Sequence, residues 1–505
     1  MAEPQLGVIA AGHPLTAEAG AAVLRDGGNA VDAAIGAMLV SFACEPLLTG
    51  LGAGGYMLVV APDSKPVLLD FFVEAPGRGA DPAARAELVP ISVSFGEAIQ
   101  VFNIGAASVG TYGMAAGVCE ASGRFGRVPV SALAAPAARL ARTGVELNAS
   151  QAYVAEILAG IVTSTPECAA LYAPHGVLLG PGEQLRQPEL ADALERLGAE
   201  GAAPFYTGDI AAGIVEWVSG RGGMLTAADL SGYEVAERAP IRVGYRDREV
   251  LTNPPPSAGG ILIAHALSLL DAGRAGAAGD GTPDIERIVE AMERTQAERT
   301  PEFLEGLGDP GFVERFLHRC GGRLGSTTHI AVLDCEGWAC SVTCSNGSCS
   351  GIIVPGTGVH LNNMLGEQDL NPLGFHRFPP GRRLPSMMAP TVVLREGVPE
   401  LVLGSAGSNR IRSAILQTVL RVVDEGMRAP DAVEAPRVHF EDGIVYAEPG
   451  IDTRALEAAG RAIGRFRGRN LFFGGVQAVE RDRDGRFWGG GDPRRGGSAV
   501  VVRAA

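Results

Sequence analysis

One stretch, Ser326 to Asn363, constrains this chain more than any other, because it sets two β-prone runs on either side of a tight turn and loads their open ends with hydroxyls. Ile330-Ala331-Val332-Leu333 and Trp338-Ala339-Cys340-Ser341-Val342-Thr343 are apolar or β-branched, and Asp334-Cys335-Glu336-Gly337 between them carries glycine at a turn position. The pattern predicts a hairpin. Pairing Cys335 with Trp338 puts Thr327 across from Asn346 and Thr328 across from Ser345, so hydroxyls and an amide converge at one end. An edge hairpin whose hydroxyls only bond each other gives the same local pattern. The flanking motifs decide between the two.

The chain has 505 residues, 46% apolar and 20% charged, enough for a large core and ordinarily for two or three domains. Its 70 glycines and few aromatics point to tight turns and close backbone approaches. The net charge of −15, with no block of basic residues, gives no electrostatic footprint for nucleic acid or an anionic membrane. Small-molecule chemistry is the better expectation. Met1 to Gly20 has no Lys or Arg before an apolar stretch, and Leu6 to Ala11 is too short for a signal core, so a cytoplasmic location is expected. Ala33 to Cys44 is stopped by Glu45-Pro46 well short of the about 20 residues that span a bilayer, and reads as a buried helix. Eight cysteines in so long a chain do not make a disulfide framework, and Cys335, Cys340, Cys344 and Cys349 lack the C-x-x-C spacing of a zinc site. No metal and no cofactor are expected. Cys340 and Cys344, with period-two spacing, read as small apolar residues on an inner strand face.

In chain order, residues 7 to 60 read as a strand, two helices and a glycine-rich return to strand, with Thr16 as the N-cap of the first helix. Thr49-Gly50-Leu51-Gly52-Ala53-Gly54-Gly55 follows a helix and precedes a strand, the reverse of a dinucleotide loop, so close backbone packing is its expected use. Val67 to Phe72 and Ile91 to Phe95 read as strands, and Met114 to Val235 has helical spacing throughout. Asn253-Pro254-Pro255-Pro256-Ser257-Ala258-Gly259-Gly260 is a rigid lead-in to a helix over Ile261 to Leu270. Gly404-Ser405-Ala406-Gly407-Ser408-Asn409 separates the strand Leu401-Val402-Leu403 from an amphipathic helix, an arrangement that turns backbone N–H groups toward an anion or merely caps a helix. A closing hairpin is expected around Asp482-Arg483-Asp484-Gly485.

With these motifs in order, the sequence closely resembles the γ-glutamyltranspeptidase family of N-terminal-nucleophile hydrolases. Gly28-Asn29-Ala30-Val31-Asp32-Ala33-Ala34, Thr49-Gly50-Leu51-Gly52, Pro254-Pro255-Pro256-Ser257, Thr327-Thr328-His329, Pro355-Gly356-Thr357-Gly358, Leu361-Asn362-Asn363 and Asp492-Pro493-Arg494 stand where that family has them. The resemblance implies a four-layer αββα sandwich and a precursor that cuts itself at Ser326|Thr327. The products would be a large subunit, 1–326, and a small subunit, 327–505, sharing one core; further homo-oligomerisation stays open. It also implies that Thr327 is the nucleophile, its freed α-amino group serving as the adjacent base. Ser345, in place of the usual threonine, supplies a second hydroxyl to it, and the backbone N–H groups of Gly407 and Ser408 form an oxyanion hole.

The substrate side departs from the pattern. Where the family carries an arginine for the α-carboxylate, this chain has Phe72 in Asp70-Phe71-Phe72-Val73-Glu74-Ala75-Pro76, and the paired serines are reduced to Ser386-Met387. Asn346, with one gap allowed, takes the place of the family asparagine, and Glu367 that of its aspartate. Loss of arginine removes a bidentate carboxylate partner, although Arg382 and Arg383 are near in sequence. The expected activity is acyl transfer from a γ-glutamyl or related amide to water or an amine. One alternative keeps Thr327 but directs it at carbon–carbon bond hydrolysis of an amino-acid-derived substrate, as the resemblance to secondary-metabolism relatives suggests. A non-enzymatic binding homologue is the remaining alternative.

Overall fold

The computed structural model describes residues 4–80, 87–94, 99–272, 284–297, 303, 307, 327–368, 370, 371 and 373–504; Ser326 and Phe95 lie outside them. The strands that build its two large sheets are, before residue 273, β1 (Gln5–Ala11), β2 (Gly54–Val60), β3 (Val67–Phe71), β4 (Ala236–Arg238), β5 (Ile241–Tyr245) and β6 (Arg248–Thr252). After residue 326 they are β7 (Thr328–Asp334), β8 (Ala339–Ser345), β9 (Thr391–Arg395), β10 (Val398–Ala406), β11 (Gly475–Arg481), β12 (Phe487–Gly491) and β13 (Ser498–Arg503). The first sheet runs β13-β1-β7-β8-β2-β3-β4 and the second β12-β11-β10-β9-β6-β5; strands from before and after residue 327 interleave in the first and share the second as two adjacent blocks. Neighbours are antiparallel throughout.

Period-two alternation sorts the first sheet's side chains between two cores. Val8, Ala10, Ala331 and Leu333 face the second sheet, packing with residues such as Val392 and Leu401. Ile9, Ala11, Ile330, Val332, Cys340, Val342 and Cys344 face helices α1 (Pro14–Arg25) and α2 (Ala30–Cys44). Helices α3 (Ala258–Ala272) and α4 (Arg410–Val423) close the other side against the second sheet. The result is the four-layer αββα sandwich. All fifteen residues of α2 are buried, which is why its sequence is apolar all round, and no described helix is long and apolar enough to cross a membrane.

Two local expectations are corrected. Thr16 is not an N-cap: α1 starts at Pro14, and the His13 ring accepts from the Leu15 N–H, leaving the Thr16 hydroxyl to bond Glu45 instead. The hairpin register is shifted by one, because its loop has three residues and pairs Leu333 with Ala339 and Thr328 with Cys344. Asp334 explains the shift. Its Oδ1 accepts from the N–H groups of Glu336 and Trp338, Gly337 takes φ +95°, and Oδ2 accepts from Ala30 N–H at the start of α2. In a sheet with one face committed to each core, a one-residue slip reverses every side chain.

Candidate active site

The corrected register settles what stands beside Thr327. Continued by one position beyond Thr328 and Cys344, the ladder brings Thr327 opposite Ser345, both on the face toward the second sheet. Thr328 points the other way. Thr327, only 2% exposed, lies immediately before β7 and opens with Ser345 into a narrow cleft. Phe72, Glu367 and Ser386 line the same cleft, together with Met364, Leu370, Met387, Met388 and Ile411. Five of the residues singled out from the sequence therefore share one small space, and most of its remaining wall is apolar.

Loops after β8 hold the polar end. Ser345 Oγ accepts from Gly347 N–H at 2.8 Å, and Glu367 Oε1 accepts from Ser348 N–H at 2.8 Å. Gly347 has φ +66°, and a Cβ there would lie 2.2 Å from Asn363 Oδ1 and 2.7 Å from Glu367 Oε1, so only glycine allows this approach. Asn346 does not line the cleft; its amide donates to the His360 carbonyl, 3.1 Å away, and braces the loop. Asn362 donates to Gly52 O and Gly110 O, which ties the glycine string to this loop as the close-packing reading expects. On the opposite wall, Ser257 Oγ donates to the carbonyls of Ser386 and Met388, and Asn253 Nδ2 to Met388 O. The proline-rich lead-in thus fixes the segment carrying Ser386.

Gly407 and Ser408 form the turn between β10 and α4, with φ +110° and +72°. A Cβ on Gly407 would meet Gly474 Cα at 2.7 Å. The turn is a backbone-built feature one helical turn ahead of Ile411, whose side chain lines the cleft.

Phe72 stacks on Tyr56 with ring centroids 5.3 Å apart, and both rings are buried. Behind them lies Arg383. Its guanidinium pairs with Asp70 and Glu74, both at 3.3 Å, donates to the carbonyls of Phe72, Asp70 and Glu234, and sits over the Tyr233 ring. Burial works against its charge, but Tyr233, Asp70 and Glu74 more than offset that and hold it above the ordinary arginine range. Arg383 is therefore committed to the framework behind Phe72, and does not stand in for the missing arginine. Burial also raises Glu74, against the pull of Arg383 and Arg78.

His329 belongs to the inter-sheet packing. Its Nδ1 lies 2.8 Å from Thr343 Oγ1, and burial lowers its pKa to about 3, so the ring is neutral. Ser341 Oγ donates to Leu403 O and accepts from Thr391 N–H, stitching the two sheets just beneath the cleft. Sequence reasoning missed Arg383's partners, Tyr56 and Glu45, all of which act across long sequence separations. Only Pro14 at the first turn of α1 offered a readable signal, since it marks the helix start that frees Thr16.

The fold is shared with a solved cephalosporin acylase from Bacillus halodurans, which superposes with a TM-score of 0.84, covering 100% of this chain and 97% of its own at 24% identity. The γ-glutamyltranspeptidase family model matches residues 16–502, and the chain belongs to that family of hydrolases and transferases. It is 31% identical to the acylase ACY 1 proenzyme of Pseudomonas sp. (strain SE83), over 98% of this chain and 93% of that one. It is 30% identical to the glutathione hydrolase proenzyme of Bacillus subtilis (strain 168), over 98% and 91%.

Proposed function

We propose that the protein is a self-processing amidohydrolase or acyltransferase that works through an acyl-Thr327 intermediate. Self-cleavage at Ser326|Thr327 yields subunits 1–326 and 327–505 and frees the Thr327 amine. That amine takes the proton of Thr327 Oγ as the oxygen attacks the substrate carbonyl; the C–N bond breaks, the leaving amine carries the proton away, and water or an acceptor amine then takes the acyl group. Ser345 orients the nucleophile, and the Gly407-Ser408 turn supplies N–H donors to the oxyanion. The observation that carries this reading is Thr327 and Ser345 opening side by side into one cleft at the hairpin's end.

The cleft's lining supports an amide whose acyl part is apolar or cyclic, with Glu367 and Ser386 its polar contacts; a γ-glutamyl group would find Phe72 where a carboxylate needs a cation. The same wall keeps carbon–carbon hydrolysis by Thr327 as a second reading, since its apolar lining is equally compatible with a ketone of that character. The processed enzyme should be assayed against γ-glutamyl anilide, apolar acyl anilides and apolar ketones. Highest kcat/KM on apolar acyl amides supports the proposal, turnover of ketones alone favours the second reading, and low-KM hydrolysis of the γ-glutamyl compound contradicts the apolar assignment.

A further inference from the structure

Directly behind the nucleophile, on the helix-facing side of the first sheet, lies a carboxylate that the chemistry above does not use. Glu45 ends α2 and is fully buried. Its Oε2 accepts from Thr328 Oγ1 at 2.7 Å, and its Oε1 from Thr16 Oγ1 at 3.0 Å. The room for it is made by Gly12, where a Cβ would lie 2.3 Å from Oε2 and 2.9 Å from the Thr328 hydroxyl. The carbonyl of Glu45 accepts from Leu48 and Thr49 N–H, and Leu48 O in turn accepts from Asn346 N–H, next to Ser345. One residue therefore touches the end of β1, the start of α1, the first residue of β7 and the turn that braces the loop after β8.

We propose that Glu45 is a positioning residue for the nucleophile: by holding the Thr328 hydroxyl it fixes the first residue of the β7 ladder, and with it Thr327. Thr327 lies outside the ladder, which begins at Thr328, so its placement depends on how firmly that first pair is held, in the uncut precursor and again after cleavage, when a new terminus frays unless something ties it down. Main-chain pairing holds Thr328 on one side only, against Cys344 of β8, because β1 pairs with β7 no further than Ile330; the carboxylate holds it from beneath. The inference rests on Thr327 being the nucleophile.

Burial raises the Glu45 carboxyl to about 7, against the hydrogen bonds of Thr328 and Thr16 and the charge of Arg495. Arg495 also lies beside the oxyanion turn, its Nη2 3.3 Å from where a Gly407 Cβ would be. The other titratable neighbours, Cys44 and Cys344, are both raised by burial and stay neutral thiols, and His13, lowered by burial to about 4, is neutral as well.

Self-cleavage of freshly synthesised full-length precursor tests this best, because it needs no substrate and the Thr327 amine does not yet exist to titrate. The appearance of the small subunit is followed from pH 5.5 to 9 in the wild type, Glu45→Gln, Thr328→Val, Thr328→Ser and the Glu45→Gln/Thr328→Val double variant. Each of the first two substitutions should slow cleavage about tenfold or more, the size of one hydrogen bond to a charged group. Thr328→Ser should stay near the wild-type rate, and the double variant should be no slower than the slower single. The rise in wild-type rate through about pH 7 should vanish in Glu45→Gln. Should Glu45→Gln not fold, Thr328→Val removes the same bond from the other side and decides alone. Wild-type rate and pH profile in Thr328→Val or in folded Glu45→Gln, or losses that multiply in the double variant, overturn the inference. A wild type that never cleaves overturns the nucleophile assignment first, and this inference with it.

Discussion

The two walls of the cleft are built from different kinds of structure. The wall of the proposed nucleophile is main-chain ladder: Thr327 and Ser345 sit at the end of paired strands, with one face on the inter-sheet core and the other on α1 and α2. The acyl wall is side chain and loop, made of Phe72, Met364, Leu370, Met387 and Met388 over an arginine–carboxylate cluster. The sequence resemblance places the larger departures, Phe72 and Met387, on the second wall, and on the first only the exchange of one hydroxyl for another at Ser345. Chemistry needs a fixed geometry that strand pairing supplies; selectivity needs only a change of side chains on a framework that keeps its own charges paired.

The largest expected effect is on the ladder wall. Thr327→Ala should remain one chain on a denaturing gel and lose all measurable turnover, because no other group in the proposal can form the acyl-enzyme. Cleavage of this variant at the same bond, found by N-terminal sequencing, would remove Thr327 from the mechanism.

Next comes the framework of the acyl wall. Arg383→Met leaves Asp70 with Arg238 and Glu74 with Arg78, yet strips both of a buried partner and leaves three carbonyls short of a donor. A loss of roughly 3 kcal/mol in unfolding free energy is expected from denaturant titration, the low end for breaking a buried ion pair. An unchanged midpoint would show that Arg383 is not what holds this wall.

Phe72→Arg is the direct probe of selectivity. Supplying one charge-assisted hydrogen bond should raise kcat/KM for γ-glutamyl anilide by about 10- to 150-fold and lower it for apolar acyl amides. Equal effects on both substrates would mean that residue 72 shapes the wall without reading the acyl group.

The smallest effect concerns the packing under the ladder. His329 has its pKa lowered to about 3 by burial, while in the unfolded chain it titrates near 6.5. Between these values the unfolded chain binds the proton and the folded protein does not, so stability falls as pH drops, by about 1.4 kcal/mol per pH unit. Denaturant midpoints of the wild type should show this slope below about pH 6, and those of His329→Gln should show a shallower one by that amount.

Much of this was legible in the sequence for a physical reason: the hairpin, the buried α2 and the glycine-rich return are local patterns of periodicity and turn chemistry, and the structure has all three. The register was not, because period-two patterning leaves the loop length open; Asp334 closes it through Glu336 and Trp338 N–H and is itself held by Ala30, 304 residues away. The same holds for Glu45, whose sequence reading as a helix stop was right for its backbone and silent about its carboxylate, which meets Thr328 across 283 residues. Phe72 was visible as a departure. That Arg383 neutralises the acids around it, and so cannot serve the substrate, follows only from the ion pairs and hydrogen bonds that fix its guanidinium.

Intact-mass analysis of the purified, active wild-type protein, with N-terminal sequencing of each band, bears most directly on the central claim. The account predicts two polypeptides, the smaller beginning at Thr327, and a mass increment on that smaller chain when a slow acyl amide is trapped by acid quenching. A fully active protein that remains a single chain, or an acyl increment carried by the larger polypeptide, would contradict it.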